Sequence, residues 1–397
     1  MKNYAIISEF NPFHKGHRFL TECCRQNGAT HITAIMSGNY VQRGDVAIIP
    51  KHKRVEMALK NGVDLVLELP LPFALANAQV FASGGVQIAD AMGCTDSLAF
   101  GSECGNIEIL NNICNIISQD NFKQQFKEII STGISYPVAL SKTIEIIGNS
   151  QQKEIISSPN NTLGIEYIKA LKEFHSNITP VTFKRIGDAH NSLEISSDFA
   201  SASNIRKLIL NNEFFRAYVP ESCVDTITKA IDNGEIAQLE NNMRGIFIKL
   251  RELSIEKLAE TADINEGLEN RIYNAILQSS DLFMLIEKIK SKRYTHARIR
   301  RIIMSYLLGI TKEYTKLPVP YIRVLGFNKK GTEILNVMKK SAKLPIVTKL
   351  TNIPKNFSDY AKKLLNLEIS STDIYYTFTE NIKPCGEEYR NGIVVIK

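Results

Sequence analysis

Over the first half of the chain, short apolar runs alternate with amphipathic stretches. Tyr4 to Ser8 reads as a buried strand, and the turn Glu9-Phe-Asn-Pro-Phe13 separates it from a helix that starts near His14. His31 to Met36, Val63 to Leu69, Ser97 to Phe100 and Pro180 to Ile186 are further strand-like runs. Pro50 stands where the first turn of a helix tolerates it, and Gly62 where that helix stops. Phe122, Phe126, Ile129 and Ile130 share one helical face, and Leu163, Tyr167 and Leu171 share another. Strands alternating with helices predict an α/β unit whose parallel sheet is covered on both faces. Near Ile205 the pattern changes, and from there to about Gly309 nearly everything reads as helix. After Pro318 the alternation resumes: strand over Tyr321 to Phe327, helix over Thr332 to Lys340, strand over Leu344 to Leu350, helix from Ser358. The expected organisation is an α/β domain over residues 1–205, a helical region over 206–315 and a small α/β terminal unit over 316–397.

The composition narrows the setting. The chain has 397 residues, 44% of them hydrophobic and 22% charged, an ordinary globular balance. No apolar stretch reaches the roughly 18 residues that a membrane-spanning helix needs. The apolar run near the N-terminus is too short for a secretory signal, and Glu9 interrupts it. Seven cysteines, with an adjacent pair at Cys23-Cys24 and no C-x-x-C, argue against a disulfide framework and a structural zinc, so a reduced cytoplasmic setting is expected. A net charge of +7 permits a polyanionic partner without demanding one.

The segment richest in chemistry is Asn11-Pro-Phe-His14-Lys-Gly-His17, directly after the first strand. Histidines three apart share one face of a helical turn. At a helix N-terminus the unpaired N–H groups and the dipole favour an anion. Gly16 admits close backbone approach, and Pro12 fixes the turn into the helix. A strand feeding such a turn sets the site at the carboxyl end of a parallel sheet, the usual ligand crevice. Imidazole donors there would stabilise charge building on an α-phosphate as pyrophosphate leaves. Two other readings compete: a zinc-binding pair, for which matching downstream ligands are not evident, and two unrelated surface histidines. A P-loop is excluded by pattern, and no G-x-G-x-x-G follows a strand.

These residues resemble the H-x-G-H block of the nucleotidylyltransferase superfamily. More narrowly, the chain resembles the bacterial tRNA(Met) cytidine acetate ligase family. The likeness runs through Glu9-Phe-Asn-Pro-Phe-His-Lys-Gly-His17, Met36-Ser-Gly, Gln42-Arg-Gly44, Gly62-Val-Asp-Leu-Val-Leu-Glu-Leu-Pro70, Phe100-Gly-Ser-Glu103, Ser135-Tyr-Pro137, Pro159-Asn-Asn, Leu163-Gly164 and Ser201-Ala-Ser-Asn-Ile-Arg206. Two positions depart from the family pattern: Lys15 stands where Asn is usual, and Asn39 where a His is common.

The resemblance implies a Rossmann-like, parallel-sheet nucleotidyltransferase fold for the first domain and a two-step ligation. ATP and acetate, with Mg2+ expected to accompany the nucleotide, would give acetyl-adenylate and pyrophosphate. The acetyl group would then pass to N4 of the wobble cytidine of elongator tRNA(Met). His14 and His17 would be catalytic. The ATP contacts carried over fall on Ile7, Ser8, Glu9, Phe10, Asn11, Pro12, Phe13, His14, Lys15, Gly16, His17, Arg18, Phe19 and Leu20, and on Gly101, Asn160 and Arg185. Gly101 ends a strand without a side chain, Asn160 stands where an N-cap would also fit, and Arg185 closes a strand at the crevice. Ser203 and Arg206, in Ser-x-Ser-x-Ile-Arg, open a helix and would offer a hydroxyl and a cation to the β- and γ-phosphates; simple capping by Ser203 is the alternative.

The densest basic run is Lys288-Ile-Lys-Ser-Lys-Arg-Tyr-Thr-His-Ala-Arg-Ile-Arg-Arg301. From Thr295 it reads as a helix with an apolar stripe of Ile299, Ile302, Ile303, Tyr306 and Leu307. Arg293, Arg300 and Arg301 fall away from the stripe, so an exposed cationic face is expected; with Arg298 they are the candidate tRNA contacts. Tyr294 is either a stacking ring or core. Two other functions stay open on the residues alone: a nucleotidylyltransferase acting on a small molecule without RNA, and a non-catalytic RNA-binding protein.

Overall fold

The computed structural model describes residues 1–186, 199–265, 267–354 and 357–397. In chain order, the elements that frame the site are β1 (Asn3–Ser8), α1 (Lys15–Gln26), β2 (His31–Ser37), β3 (Tyr40–Val41), β4 (Asp45–Val46), α2 (Lys51–Leu59), β5 (Leu65–Leu69) and α3 (Ala78–Ala91). They continue with β6 (Ser97–Ser102), α4 (Pro159–Glu173), β7 (Thr179–Lys184), α5 (Ala202–Leu210), α6 (His296–Leu308) and β8 (Ile322–Phe327). The last are α7 (Lys329–Ser341), β9 (Ile346–Val347), α8 (Asp359–Tyr375) and β10 (Val394–Val395).

The main sheet runs in the order β10-β8-β5-β2-β1-β6-β7, with β9 paired to β8. β1, β2, β5, β6 and β7 are mutually parallel. Every residue of β2 and β5 is buried, which is why these strands read as mostly apolar, with Glu68 of β5 the charged exception. Ile7, Phe81, Phe100 and Ile165 pack on one face of the sheet. Ile6, Met36, Val55 and Ile205 pack on the other. The fold is the α/β nucleotidyltransferase architecture expected for the N-terminal half.

The segment from residue 316 onward is α/β, but its strands extend the main sheet instead of forming one of their own. β8 pairs antiparallel with β5 and covers what would otherwise be an open edge. The strand expected over Leu344 to Leu350 shrinks to β9, because only Ile346 and Val347 find partners on β8. A buried ion network ties this segment down. Lys51 Nζ lies 2.6 Å from Glu68 and 2.5 Å from Glu388, and Arg323 lies 3.0 Å from Glu68. The helical region packs Leu250, Ile276, Leu285 and Ile303 into a second core, shared with Tyr40, Val46, Leu71 and Leu75 and closed by Tyr375 and Tyr376 at the end of α8. Among the described residues no helix is long and apolar enough to cross a membrane.

Candidate active site

β1 ends at Ser8, and the chain turns through Phe10, in the left-handed region at φ 46°, and a cis Asn11–Pro12 bond into α1. Tertiary hydrogen bonds hold this turn. Asn11 Oδ1 accepts from Ile48 N at 2.8 Å, and Arg206 donates to Asn11 O at 2.9 Å. The Arg54 guanidinium, wholly buried, donates to Glu9 O at 2.6 Å, to Ser37 O and Ile49 O at 3.1 Å each, and to Gly38 O. One cation thus staples the carboxyl ends of β1 and β2. Burial lowers its pKa to about 10, so it stays charged at neutral pH.

The two histidines cap their own helix. His14 is the N-cap of α1, and its Nδ1 accepts from Gly16 N at 3.0 Å. Nδ1 of His17 accepts from His14 N at 3.2 Å. A ring nitrogen that accepts an N–H bond carries no proton, so both neutral rings bear theirs on Nε2. The rings stack with centroids 3.7 Å apart, and Phe10 meets His17 edge-on at 4.9 Å. Burial, His14 and Arg185 hold the His17 pKa well below the ordinary imidazole value. The pair is therefore a cradle of neutral N–H donors at a helix N-terminus, suited to phosphate oxygens.

A cavity of about 220 Å³ opens beside them. His14, His17, Leu20, Gly101, Asn160 and Arg185 line it together with Ile7, Ser8, Glu9, Phe10 and Asn11. A Cβ at Gly101 would come within 3.1 Å of Arg185 Cγ, so glycine keeps the arginine against the strand end. Asn160 is not an N-cap, since that position is Ser158. Its Nδ2 donates to Glu103 at 2.7 Å, and Asn161 N donates to the other Glu103 oxygen at 2.9 Å. The structure brings together eleven of the expected nucleotide contacts: Ile7, Ser8, Glu9, Phe10, Asn11, His14, His17, Leu20, Gly101, Asn160 and Arg185.

The rest support the wall without lining it. Phe13 is fully buried core, Phe19 packs on Phe199, and Arg18 pairs with Glu22 at 2.8 Å on the surface. Pro12, Lys15 and Gly16 build the turn and the first helical residues. Ser203 neither caps α5 nor lines the cavity: Ser201 caps it, its Oγ 2.9 Å from that of Ser203. Arg206 acts on the backbone of the turn. Asn39, one of the departures, is a buried strut that accepts from Lys51 N at 2.9 Å and donates to Thr372 at 3.1 Å.

The exposed cationic face expected on α6 is not there as a unit. Arg298 and Arg301 both turn to Asp263, at 3.4 Å and 2.9 Å, and the Arg301 side chain is 11% exposed. Arg300 pairs with Asp45 at 3.3 Å, 41% exposed, and Arg293 lies 6.0 Å over Tyr294, which is buried. Acidic partners distant in sequence, Asp45 and Asp263, take up Arg298, Arg300 and Arg301. Sequence reasoning missed Arg54, Glu103, Gln42 and Arg43. The last three sit inside the motif blocks already singled out, whereas Arg54 carries no local signal.

A family model of the HIGH nucleotidyl transferases matches residues 1–389. The tRNA(Met) cytidine acetate ligase of Acetivibrio thermocellus is 36% identical over all of both chains. That of Clostridium novyi is 38% identical over 95% of this chain and 96% of its own. Crystal structures of Thermotoga maritima TmcAL, apo and bound with alpha-thio ATP, superpose with TM-scores of 0.93 and 0.90 at 31% identity, covering 100% of each chain. With this site at the carboxyl end of this sheet, the chain belongs to the tRNA(Met) cytidine acetate ligase family of HIGH nucleotidyl transferases.

Proposed function

We propose that the protein is an ATP-dependent ligase that makes acetyl-adenylate and transfers acetyl to N4 of the wobble cytidine of elongator tRNA(Met), in the cytoplasm. The observation that carries this reading is the His14–His17 cradle, with both Nδ1 atoms engaged in capping α1 and both rings on the cavity wall. An acetate oxygen attacks the α-phosphorus, the bond to the β-phosphate oxygen breaks, and pyrophosphate leaves. His14 and His17 stabilise the charge that builds on the phosphate oxygens. Asn160 and Arg185 hold the adenosine end. In the second step the cytidine N4 attacks the acyl carbon, AMP leaves with the C–O electron pair, and the amine proton goes to solvent. A weakly basic amine makes placement the main contribution of the protein.

Magnesium would enter with ATP and be held chiefly by phosphate oxygens. Glu9 is the carboxylate on the cavity wall, and its Oε1 already accepts from Gln42 N at 2.8 Å. For the tRNA, Arg300 and Arg293 remain the proposed contacts, because Arg300 stands beside Asp45, on the strand next to the cavity residues Gln42 and Arg43. A single-stranded anticodon loop presents its wobble base without breaking a duplex. The test is incubation with ATP, labelled acetate and total tRNA, followed by nucleoside analysis and pyrophosphate exchange. Label in N4-acetylcytidine of tRNA(Met), with exchange that needs acetate, supports the proposal. Exchange that ignores acetate favours a nucleotidylyltransferase of another substrate.

A further inference from the structure

Beyond the nucleotide contacts, the cavity wall carries a buried hydroxyl that no described residue satisfies. Tyr167 is 2% exposed, and its Oη has no hydrogen-bond partner among the described residues. An unpaired buried hydroxyl is costly, and a phenol that persists in that state points to a ligand acceptor. Burial and the nearby Glu9 charge push its pKa above the ordinary phenol value, so it is a neutral donor.

Its position selects which acceptor. Asn160 and Tyr167 both line the cavity from α4. They are seven residues apart, two turns on one helix face, so Tyr167 lies roughly 10 Å along the helix from the adenosine end. Around it the wall turns apolar: Phe100 has its ring centroid 5.5 Å from that of Tyr167, and Phe81 and Ile7 complete the surface. Ile7 in turn packs on Gly85, where any Cβ would overlap its side chain, so α3 closes tightly behind the pocket. An apolar surface of Ile7, Phe81 and Phe100 bearing the Tyr167 hydroxyl suits a methyl group next to a carboxylate.

We infer that Tyr167 binds the acyl substrate, its Oη donating to one acetate oxygen while the methyl packs on Phe81 and Phe100 and the other oxygen faces the α-phosphorus. This rests on the acetate-ligase reading above and deepens it. Bonded to Tyr167, the carboxylate is fixed for in-line attack, and the close back wall leaves little room for a longer acyl chain.

The test is Tyr167→Phe in the full-length protein, assayed by acetate-dependent ATP–pyrophosphate exchange without tRNA. Losing a hydrogen bond to a charged group should raise the KM for acetate about ten- to a hundredfold, with the KM for ATP within about threefold of wild type. Because the variant deletes an unsatisfied hydroxyl, its melting temperature should equal or exceed that of wild type; a structural role would lower it. An unchanged acetate KM, or a defect confined to transfer onto tRNA, overturns the assignment while leaving the ligase reading intact. Wild-type exchange that needs no acetate would overturn both.

Discussion

The backbone N–H of His14 donates to Nδ1 of His17 at 3.2 Å, and the two rings stack with centroids 3.7 Å apart. Capping and chemistry are thus one arrangement. The same bonds that end the orphaned N–H groups of α1 also fix which imidazole nitrogen carries the proton. His17→Ala should lower adenylate formation about 10²–10³-fold, the effect of losing one preorganised donor. The lost cap should cost only about 1 kcal/mol of stability. Acetate-dependent exchange and a denaturant titration of the same preparation separate the two effects, and wild-type exchange in this variant would remove His17 from the mechanism.

The depressed pKa of His17 also shapes the pH profile. In the free enzyme the ring is already neutral through the ordinary imidazole range, because burial, His14 and Arg185 oppose its charge. The profile of kcat/KM for ATP reports free-enzyme groups. It should therefore show no acid limb centred near the usual histidine value of about 6.5 that His17→Ala abolishes. Such a limb would mean that the reactive form is the imidazolium.

For RNA, the ion pairs on α6 divide the arginines. Arg300→Ala removes a cation that is 41% exposed beside Asp45, so tRNA affinity should fall and the salt slope shrink by about one unit, with adenylate formation unchanged. Arg301 is spent on Asp263, and Arg301→Ala should leave the salt slope alone and lower stability by about 1 kcal/mol. Filter binding across a salt series distinguishes the two; equal slopes in both variants would place the RNA elsewhere.

Gly44 is where the β3–β4 hairpin meets α6. Its φ is +76°, and a Cβ there would overlap the backbone of Arg300 and Arg301. Gly44→Ala combines a strained backbone with a clash that no side-chain rotation relieves, for a cost of about 2–4 kcal/mol. It should also loosen the helical region from the β3–β4 hairpin and weaken tRNA binding in parallel. Thermal unfolding indistinguishable from wild type would show that the two elements do not depend on this contact.

What the sequence reveals follows the range of the forces involved. β1, β2, β5 and β6 are legible because strands buried on both faces are mostly apolar, and β7, though half-exposed at the sheet edge, keeps a β-branched and aromatic run. The histidine cradle is legible because turn, cap and ligand contacts all fall within seven consecutive residues, Asn11 to His17. Arg54 is not: inside Lys51-His-Lys-Arg54 it looks like a solvated charge, and only the folded chain brings the carbonyls of Glu9, Ser37 and Gly38 to it. The basic run on α6 misleads for the converse reason, since Asp45 and Asp263 lie far away in sequence. β10, two residues long, exists only because β8 is there to pair with it.

His52 gives stability a defined pH dependence. Its Nε2 lies 3.2 Å from Tyr376 Oη. Burial first, then the Lys51 charge, lower its pKa to about 4, with Lys383 adding to the effect and Glu388 and Glu387 opposing it. In the unfolded chain the ring titrates near about 6.5. Between these values the unfolded state binds a proton that the folded state refuses, so stability falls as pH drops below the upper value and levels off near the lower one. The full span is worth about 3 kcal/mol at most. His17, depressed in the same direction, adds to the slope. His52→Gln keeps a polar side chain beside Tyr376 without a titrating group. Its denaturation midpoint should therefore change less than that of wild type between about pH 7 and pH 5. An identical pH dependence in the two proteins would mean that His52 takes up its proton in the folded state and that the loss arises at other groups.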